Sequence, residues 1–360
     1  MTPYWILLIL FAFVALVGGV RVSAVSAATA TYPRKPSRDY LLILGAVLVA
    51  LMIGFRYQVG GDWQAYKHMY MLAFYHSPGE MIQLGDPAYM LLSWGSKQVR
   101  GGLLLVDLVC GALFSWGLYR LAKMQPEPWL AMLVAVPYMI IVVAMGYSRQ
   151  AVALGILMAG LARLMQGRSV ISFLPYVAAA ALFHKTAIIV LPVTVVGVYR
   201  RQVLPILGAA IVGYILYSYL LKSALGDLVQ NYIVARYSSH GAAIRVLMIA
   251  SAAVVFFVFR SRLRFNEVED KIWRNFSLAS FAMFGALFII PSSTVVDRLA
   301  LYLLPLQVAV IGRLSLITNE EFVGRLIVIA YSAAVLYVWL TYAYNSGEWL
   351  PYKFYPMPSL

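Results

Sequence analysis

Long apolar runs, separated by short polar stretches, make up most of this sequence. A helix that crosses a bilayer needs about 20 apolar residues, and many of the runs approach that length. The pattern predicts an all-α, polytopic integral membrane protein with about 12 transmembrane helices (range 10–13). The runs lie near residues 3–20, 39–55, 102–119, 129–146, 148–166, 170–184, 186–199, 203–221, 244–259, 275–291, 296–312 and 323–343.

Three segments of the chain do not follow the simple pattern of spans. Residues 87–99 are apolar but too short to cross a bilayer, so we expect a re-entrant or interfacial helix there. Residues 3–20 lack a positively charged leader, which favours a retained span over a signal peptide. We expect residues 1–345 to form a single transmembrane helical domain and residues 346–360 a short extracytoplasmic tail.

Composition and charge agree with this assignment. Hydrophobic residues make up 62% of the chain and charged residues only 12%, with a mean hydropathy of +0.82. The net charge of +14 is explained by topology, because excess Lys and Arg collect in cytoplasmic loops. The predicted partner is therefore the lipid bilayer and not a nucleic acid. The single cysteine, Cys110, excludes an intramolecular disulfide, and no Cys/His spacing suggests zinc.

Placing the N-terminus outside puts most of the 28 basic residues on the cytoplasmic side. All four histidines and Asp62, Asp86 and Asp297 then fall on the outer side, together with the remaining basic residues. Basic residues are disfavoured there unless something retains them, so we expect a functional site on that face.

The first polar stretch after a long run contains Arg56 and Asp62. Gly60 and Gly61 permit a tight turn, and a helix starting near Asp62 would place Tyr66 one turn later. Arg56 could bind an anion while Asp62 orients a partner or acts as a base. Equally, Asp62 could be only a helix cap and Arg56 an interfacial anchor.

Arg149 and His184 each lie between two apolar runs with almost no loop. An arginine so close to hydrocarbon costs about 2–3 kcal/mol unless it is paired or hydrated. It could snorkel to headgroups, but its fork also matches a phosphate or diphosphate. His184 is the best-placed general base, with Lys185 favouring its neutral form, although a backbone-bonded histidine is the alternative.

Later polar residues give weaker signals. Asp297 and Arg298 could neutralise each other, or Arg298 could be a second phosphate ligand, with Tyr302 one turn on. The loop 222–243, which includes Arg236, suits sugar contacts. Asp107 lies inside a run and either has a buried partner or lines a cavity. No Walker loop, GxSxG or HExxH motif is present.

The order of these short motifs resembles the EpsG family, a branch of the Wzy-like exopolysaccharide and O-antigen polymerases. The resemblance spans about residues 1–345, with Asp86 where the family commonly has Glu and Lys185 where small residues are common. The motifs are Arg56-Tyr57-x-x-Gly60-x-Asp62-x-x-x-Tyr66, Asp86-Pro87-Ala88-Tyr89, Tyr147-Ser148-Arg149-Gln150, Phe183-His184-Lys185-Thr186 and Asp297-Arg298 with Tyr302.

The resemblance implies a metal-independent glycosyltransferase without a cofactor in the bacterial plasma (inner) membrane, with both termini outside. It would transfer a growing glycan from undecaprenyl diphosphate to a lipid-linked repeat unit, assisted by a chain-length-determining membrane protein. His184, Arg149 and Asp62 would be catalytic, with His184 as base and arginines on the diphosphate. The substrate-binding candidates are Arg56, Tyr66, His68, Gln150, Lys185, Arg236, Asp297, Arg298 and Tyr302.

Three other functions fit the same features. A glycosyltransferase that uses a polyprenyl-monophosphate sugar often has an acid in its first outer loop, as Asp62 is, sometimes with a divalent metal. A flippase or exporter of lipid-linked oligosaccharide needs a charged cavity but no base. A membrane acyltransferase needs a catalytic histidine, although the outer arginines fit it less well.

Overall fold

The computed structural model describes residues 1–17, 39–198, 203–216, 218, 239 and 241–355. Regular structure in these ranges is helical, apart from one isolated β-bridge between Arg56 and Phe354, so the predicted all-α class is confirmed. The helices are α1 (Thr2–Val17), α2 (Asp39–Gly54), α3 (Trp63–Leu72), α4 (Pro78–Leu84), α5 (Pro87–Gln98), α6 (Gly102–Ala122), α7 (Pro128–Ala135), α8 (Ser148–Met165), α9 (Leu174–Phe183), α10 (Val190–Val198), α11 (Val203–Leu216), α12 (Ala242–Phe259), α13 (Glu267–Ile289), α14 (Ser293–Ala300), α15 (Pro305–Ile311) and α16 (Glu321–Tyr342).

Among the described residues, four helices are long and apolar enough to cross a membrane: α6, α12, α13 and α16. The segments 293–303 and 305–316 would together make a fifth span, but they are bent by 49° where Pro305 cannot donate a backbone hydrogen bond. Several shorter apolar helices accompany them. The described structure supports a membrane protein, while the count of about twelve spans stays a prediction.

The short helix expected near residues 87–99 is present as α5. Pro87 begins it, which suits the first helical position because proline has no N–H to satisfy there. The helix packs against α3, α6 and α9. Asp86, immediately before the helix, is thereby carried into the protein.

Helix α8 lies at the centre of the described structure. All of its residues are buried except Arg149 near its start and Arg163 near its end. It packs closely on α6, where a Cβ added to Gly117 would lie 1.8 Å from the carbonyl oxygen of Gly155. The backbones therefore approach so closely that Gly117 cannot carry a side chain. Helices α6 and α8 are thus in backbone contact at Gly117 and Gly155.

The chain enters α8 through an irregular segment. Helix α7 continues as a π-helix over Val136–Ala144, a wider helical form that often occurs at functional sites. The indole N–H of Trp349 donates to the carbonyl of Ile141 at 2.9 Å, so the C-terminal segment is bonded to this π-helix. Tyr147 then has a non-helical backbone, with φ −130° and ψ 63°, before α8 begins at Ser148.

Residues 346–355 pack on the same end of the bundle as the start of α8. The carbonyl of Glu348 accepts from the Gly60 N–H at 2.8 Å, and the carbonyl of Trp349 accepts from the Tyr4 hydroxyl at 2.7 Å. The start of α1, the turn after α2 and this segment therefore meet. The division of the chain at residue 345 stays a prediction, since nothing in these contacts separates a tail from a domain.

Candidate active site

Asp86 is the centre of a cluster built from three separate segments. Its carboxylate accepts a hydrogen bond from Arg149 Nη1 at 2.8 Å and lies 3.4 Å from Nδ1 of His184. The backbone N–H of Lys185 also donates to it, at 3.4 Å. The Asp86 side chain is 2% exposed, whereas those of Arg149 and His184 are 22% and 15% exposed. The two basic groups therefore reach the surface while their shared acid does not.

Local chain geometry explains why these groups converge. His184 ends α9 in extended backbone, and a 3₁₀ turn from Lys185 to Ile189 follows it. This break frees the Lys185 N–H from the helix and directs it to the carboxylate. Arg149 lies in the first turn of α8, where unpaired backbone N–H groups already favour an anion.

The charges in this cluster favour a neutral, oriented imidazole. Burial lowers the pKa of His184, and its hydrogen bond to Asp86 only partly opposes that effect. Burial alone would raise the pKa of Asp86, but the hydrogen bond with His184 and the charge of Arg149 hold it below its ordinary value. An ionised carboxylate can only accept, so Nδ1 of His184 carries the proton. Nε2 is then left with a free lone pair, as a general base requires.

A second arginine lies beside this cluster. Arg298 Nη2 is 3.7 Å from the Asp62 carboxylate, and its guanidinium lies over the ring of Tyr147 at 5.3 Å. Gln150, next to Arg149 in sequence, donates its amide N–H to the Arg298 carbonyl at 2.5 Å. The positive charge of Arg298 also contributes to lowering the pKa of His184. Two partly exposed arginines and one histidine therefore share one end of the bundle.

A family model described as the EpsG family matches residues 39–354, which is nearly the whole chain. The chain belongs to the EpsG family. No curated protein and no solved structure matches it. Membership in this family, together with the apolar helices, indicates a membrane protein related to exopolysaccharide polymerases.

Tyr66 and Tyr302, two further residues of the EpsG-family motifs, pack against the cluster. Arg149 lies over the ring of Tyr66 at 6.0 Å, and Tyr66 is almost fully buried. The hydroxyl of Tyr302 lies 3.2 Å from that of Thr186, two residues after His184. Tyr66 and Tyr302 are thus brought to the cluster as packing partners, with little of their own surface exposed.

Arg56 is placed differently from the role that its sequence suggested. Its guanidinium is 0% exposed and donates to Asp107 at 2.7 Å, to the Ser148 hydroxyl at 2.7 Å and to the Ile53 carbonyl at 2.7 Å. A buried, paired guanidinium has no surface for a diphosphate. The expectation that Arg56 contacts substrate is corrected to a supporting role, since it fixes the residue before Arg149. Asp107 therefore has a buried partner, Arg56, which is one of the two possibilities that the sequence left open for it.

Asp297 and Arg298 do not pair with each other. Asp297 accepts from Nε of Arg245 at 2.8 Å and from its Nη2 at 2.6 Å, and it also accepts from the Ser239 hydroxyl at 3.2 Å. Asp297 therefore joins α14 to α12. Arg298, one residue later, points to Asp62, which fits the alternative in which it contacts an anion.

The side chains of the remaining described candidates, His68 and Lys185, make none of the contacts that define the cluster. His68 is exposed on α3, and none of the contacts that define the cluster involves it. The Lys185 side chain is partly buried, while only its backbone N–H is bonded to Asp86. Arg236 lies outside the described residues.

Sequence reasoning assigned no role in the site to Asp86 and chose Asp62 as the orienting acid. Asp86 carried a usable signal, because an acid directly before the proline that starts a short, non-spanning helix is already close to a break in the bilayer pattern. Tyr147, which lies beneath Arg298, carried a weaker one as the last residue before α8.

Proposed function

We propose that this protein is a polysaccharide polymerase that transfers a growing glycan from undecaprenyl diphosphate to a lipid-linked oligosaccharide repeat unit. The observation that carries the proposal is that one buried carboxylate, that of Asp86, bonds both Arg149 and His184. This arrangement sets an anion-binding group and a base side by side, which transfer from a diphosphate donor requires. The family of the chain supports the same class of reaction.

In this reaction the acceptor sugar's hydroxyl oxygen attacks the anomeric carbon of the donor glycan. The bond between that carbon and the diphosphate oxygen breaks, and the diphosphate leaves with the electron pair. His184 Nε2 takes the hydroxyl proton, because its Nδ1 is held by Asp86. Arg149 and Arg298 stabilise the charge that develops on the diphosphate.

The proposal also gives the setting of the reaction. The polyprenyl tails would lie among the apolar helices, so donor and acceptor would arrive from the bilayer. We place the site at the outer face of the bacterial inner membrane, with both termini on that side and a chain-length-determining membrane protein as a further partner. The net charge and the distribution of basic residues along the chain support this orientation.

The test uses a bacterial host that lacks its own polymerase. Single variants His184→Ala, Arg149→Ala and Asp62→Ala are expected to lose long glycan and to accumulate single lipid-linked repeats. His76→Ala is the matched control, because His76 is a partly exposed histidine that lies 3.8 Å from Glu80 on α4. Polymer of normal length in all three variants, at normal protein levels, would contradict the site.

The same experiment separates the alternatives. A flippase does not need a base, so the His184→Ala variant would still translocate substrate. Single lipid-linked repeats would then not accumulate in that variant. A glycosyltransferase that uses a polyprenyl-monophosphate sugar would accept that donor in place of the diphosphate, and loss of activity with EDTA would indicate that it needs a divalent metal.

A further inference from the structure

Three aromatic side chains form a small surface next to the candidate active site. Tyr57 packs edge-on against Trp63 with ring centroids 5.8 Å apart, and the centroid of the tilted Tyr355 ring also lies 5.8 Å from that of Tyr57. Tyr57 and Trp63 are partly exposed, and Tyr355 is 38% exposed. We call these three rings the aromatic surface.

A short antiparallel pairing fixes which way these rings point. The Tyr57 N–H donates to the Lys353 carbonyl at 2.9 Å, and the Tyr355 N–H donates to the Phe55 carbonyl at 2.7 Å. At this pairing Arg56 is buried while its neighbour Tyr57 is partly exposed. The buried Arg56 ion pair therefore anchors the residue that presents the outer ring.

Polar groups are interleaved with the rings. Lys353 Nζ donates to the side-chain oxygen of Gln58 at 3.3 Å, and the Gln58 amide nitrogen lies 3.5 Å from the Tyr57 hydroxyl. Gln58 is held at φ +53°, a conformation that residues other than glycine rarely adopt. The surrounding structure therefore holds Gln58 in this backbone conformation despite its conformational cost.

This mixture of groups matches a sugar better than a lipid. A pyranose ring offers C–H faces that stack on aromatic rings and hydroxyl edges that bond amide and ammonium groups, whereas an acyl chain uses neither donor. On α1 the large exposed side chains after Met1 are aliphatic or phenyl, such as Ile9 and Phe13. The amide of Gln58 and the ammonium of Lys353 can bond sugar hydroxyls, whereas hydrocarbon offers them no acceptor.

The aromatic surface is continuous with the site. Trp63 directly follows Asp62, whose carboxylate faces Arg298. We propose that Tyr57, Trp63 and Tyr355, with Gln58 and Lys353, bind sugar residues of the lipid-linked glycan beyond the one that reacts. This inference rests on the proposed polymerase function and names a subsite for its substrate.

The test measures polymer length and oligosaccharide binding separately. Tyr57→Ala with Tyr355→Ala is the main variant, and Tyr355→Ala alone is the second, because Tyr355 is the most exposed of the three rings and tolerates truncation best. Both are expected to make shorter glycan, while Tyr57→Phe with Tyr355→Phe keeps the rings and the normal length. Tyr75→Ala is the matched control, since Tyr75 is 78% exposed and lies outside the aromatic surface.

Binding is measured on His184→Ala protein in nanodiscs, with oligosaccharides released from the host polymer by partial hydrolysis as the probe. The alanine changes are expected to weaken binding about fivefold or more, as loss of ring stacking predicts. Unchanged length and unchanged binding at normal membrane levels would overturn the inference. Quenching of the aromatic surface by brominated lipid, with no effect of the oligosaccharide, would assign it to the membrane interface instead.

The two proposals fail in different ways. If His184→Ala abolishes polymer but the aromatic variants keep its length and the binding of oligosaccharide, only the sugar subsite is wrong. If His184→Ala still makes normal polymer, the polymerase mechanism itself is wrong.

Discussion

Replacing Asp86 by Asn tests the central claim about the site with almost no change in shape. The amide oxygen can still accept one hydrogen bond, but the negative charge beside Arg149 and His184 is lost. The amide can also donate to Nδ1 of His184, which would move the ring proton to Nε2. His184 would then hold the wrong tautomer and have no lone pair where the acceptor hydroxyl lies.

The expected loss of rate follows from the role of the base. General base catalysis contributes about 10²–10⁴-fold, so we expect Asp86→Asn to lower the rate of glycan transfer by that order. The same substitution should lower the free energy of unfolding only modestly. A charge-assisted hydrogen bond exceeds a neutral one by about 1–2 kcal/mol, and Arg149 is exposed enough for water to replace part of the interaction.

The pH dependence of the rate gives a second, independent signature. In the native protein burial lowers the pKa of His184, so activity should fall only when the pH drops below the ordinary histidine value of about 6.5. Asp86 opposes that lowering. Asp86→Asn should therefore lower the pKa of His184 further and move the acid limb of the rate to lower pH. Arg149→Gln should move it to higher pH, because the arginine charge lowers the same pKa.

The assay follows transfer from a purified lipid-linked repeat unit in membrane vesicles, between about pH 5 and 8, with polymer resolved on gels. Asp86→Glu is the matched control, since it keeps the carboxylate and is expected to retain activity. The melting temperature in detergent monitors folding. A normal rate and an unmoved acid limb in folded Asp86→Asn protein would refute the assignment of Asp86 as the group that orients His184.

Three further variants test the support of the site. Arg149→Lys keeps the charge but loses the fork, so the KM for the diphosphate donor should rise about tenfold with a smaller change in kcat, measured by steady-state kinetics. Arg56→Ala leaves Asp107 buried and unpaired, which should cost about 3–5 kcal/mol and lower the melting temperature without raising KM in the protein that folds. Gly146→Ala places a methyl 2.3 Å from Cζ2 of Trp349 and should lower both activity and melting temperature. Adding Trp349→Phe to Gly146→Ala should restore part of the activity and part of the melting temperature. An equal loss in the single and the double variant would count against the packing argument.

Several features of the fold could be predicted because they depend on local pattern. Apolar runs gave the helical class, and the short run before residue 100 gave α5. The count of about twelve spans stays a prediction, because a run of the right composition does not have to be one straight helix. Residues 296–312 are apolar apart from Asp297, Arg298 and Gln307, yet the helix bends near Pro305. Residues 129–146 widen into a π-helix instead of continuing as α-helix.

The site shows the same division between local and tertiary information. The structure brings Arg149 and His184, chosen because each interrupts an apolar run, to one carboxylate. Arg56 looked equivalent to Arg149, since both follow long apolar runs. What distinguishes them is the partner: Arg56 meets Asp107 inside α6 and is buried, whereas Arg149 meets Asp86 near the surface. No spacing in the sequence specifies those pairings.

The ion pair between Arg149 and Asp86 has a consequence for substrate binding. Arg149 is bonded at 2.8 Å to a carboxylate that is almost fully buried, so moving it would leave that charge unpaired. His184 lies 3.4 Å from the same carboxylate. An arriving diphosphate should therefore meet Arg149 in a fixed position, and the base beside Arg149 keeps its geometry throughout the transfer.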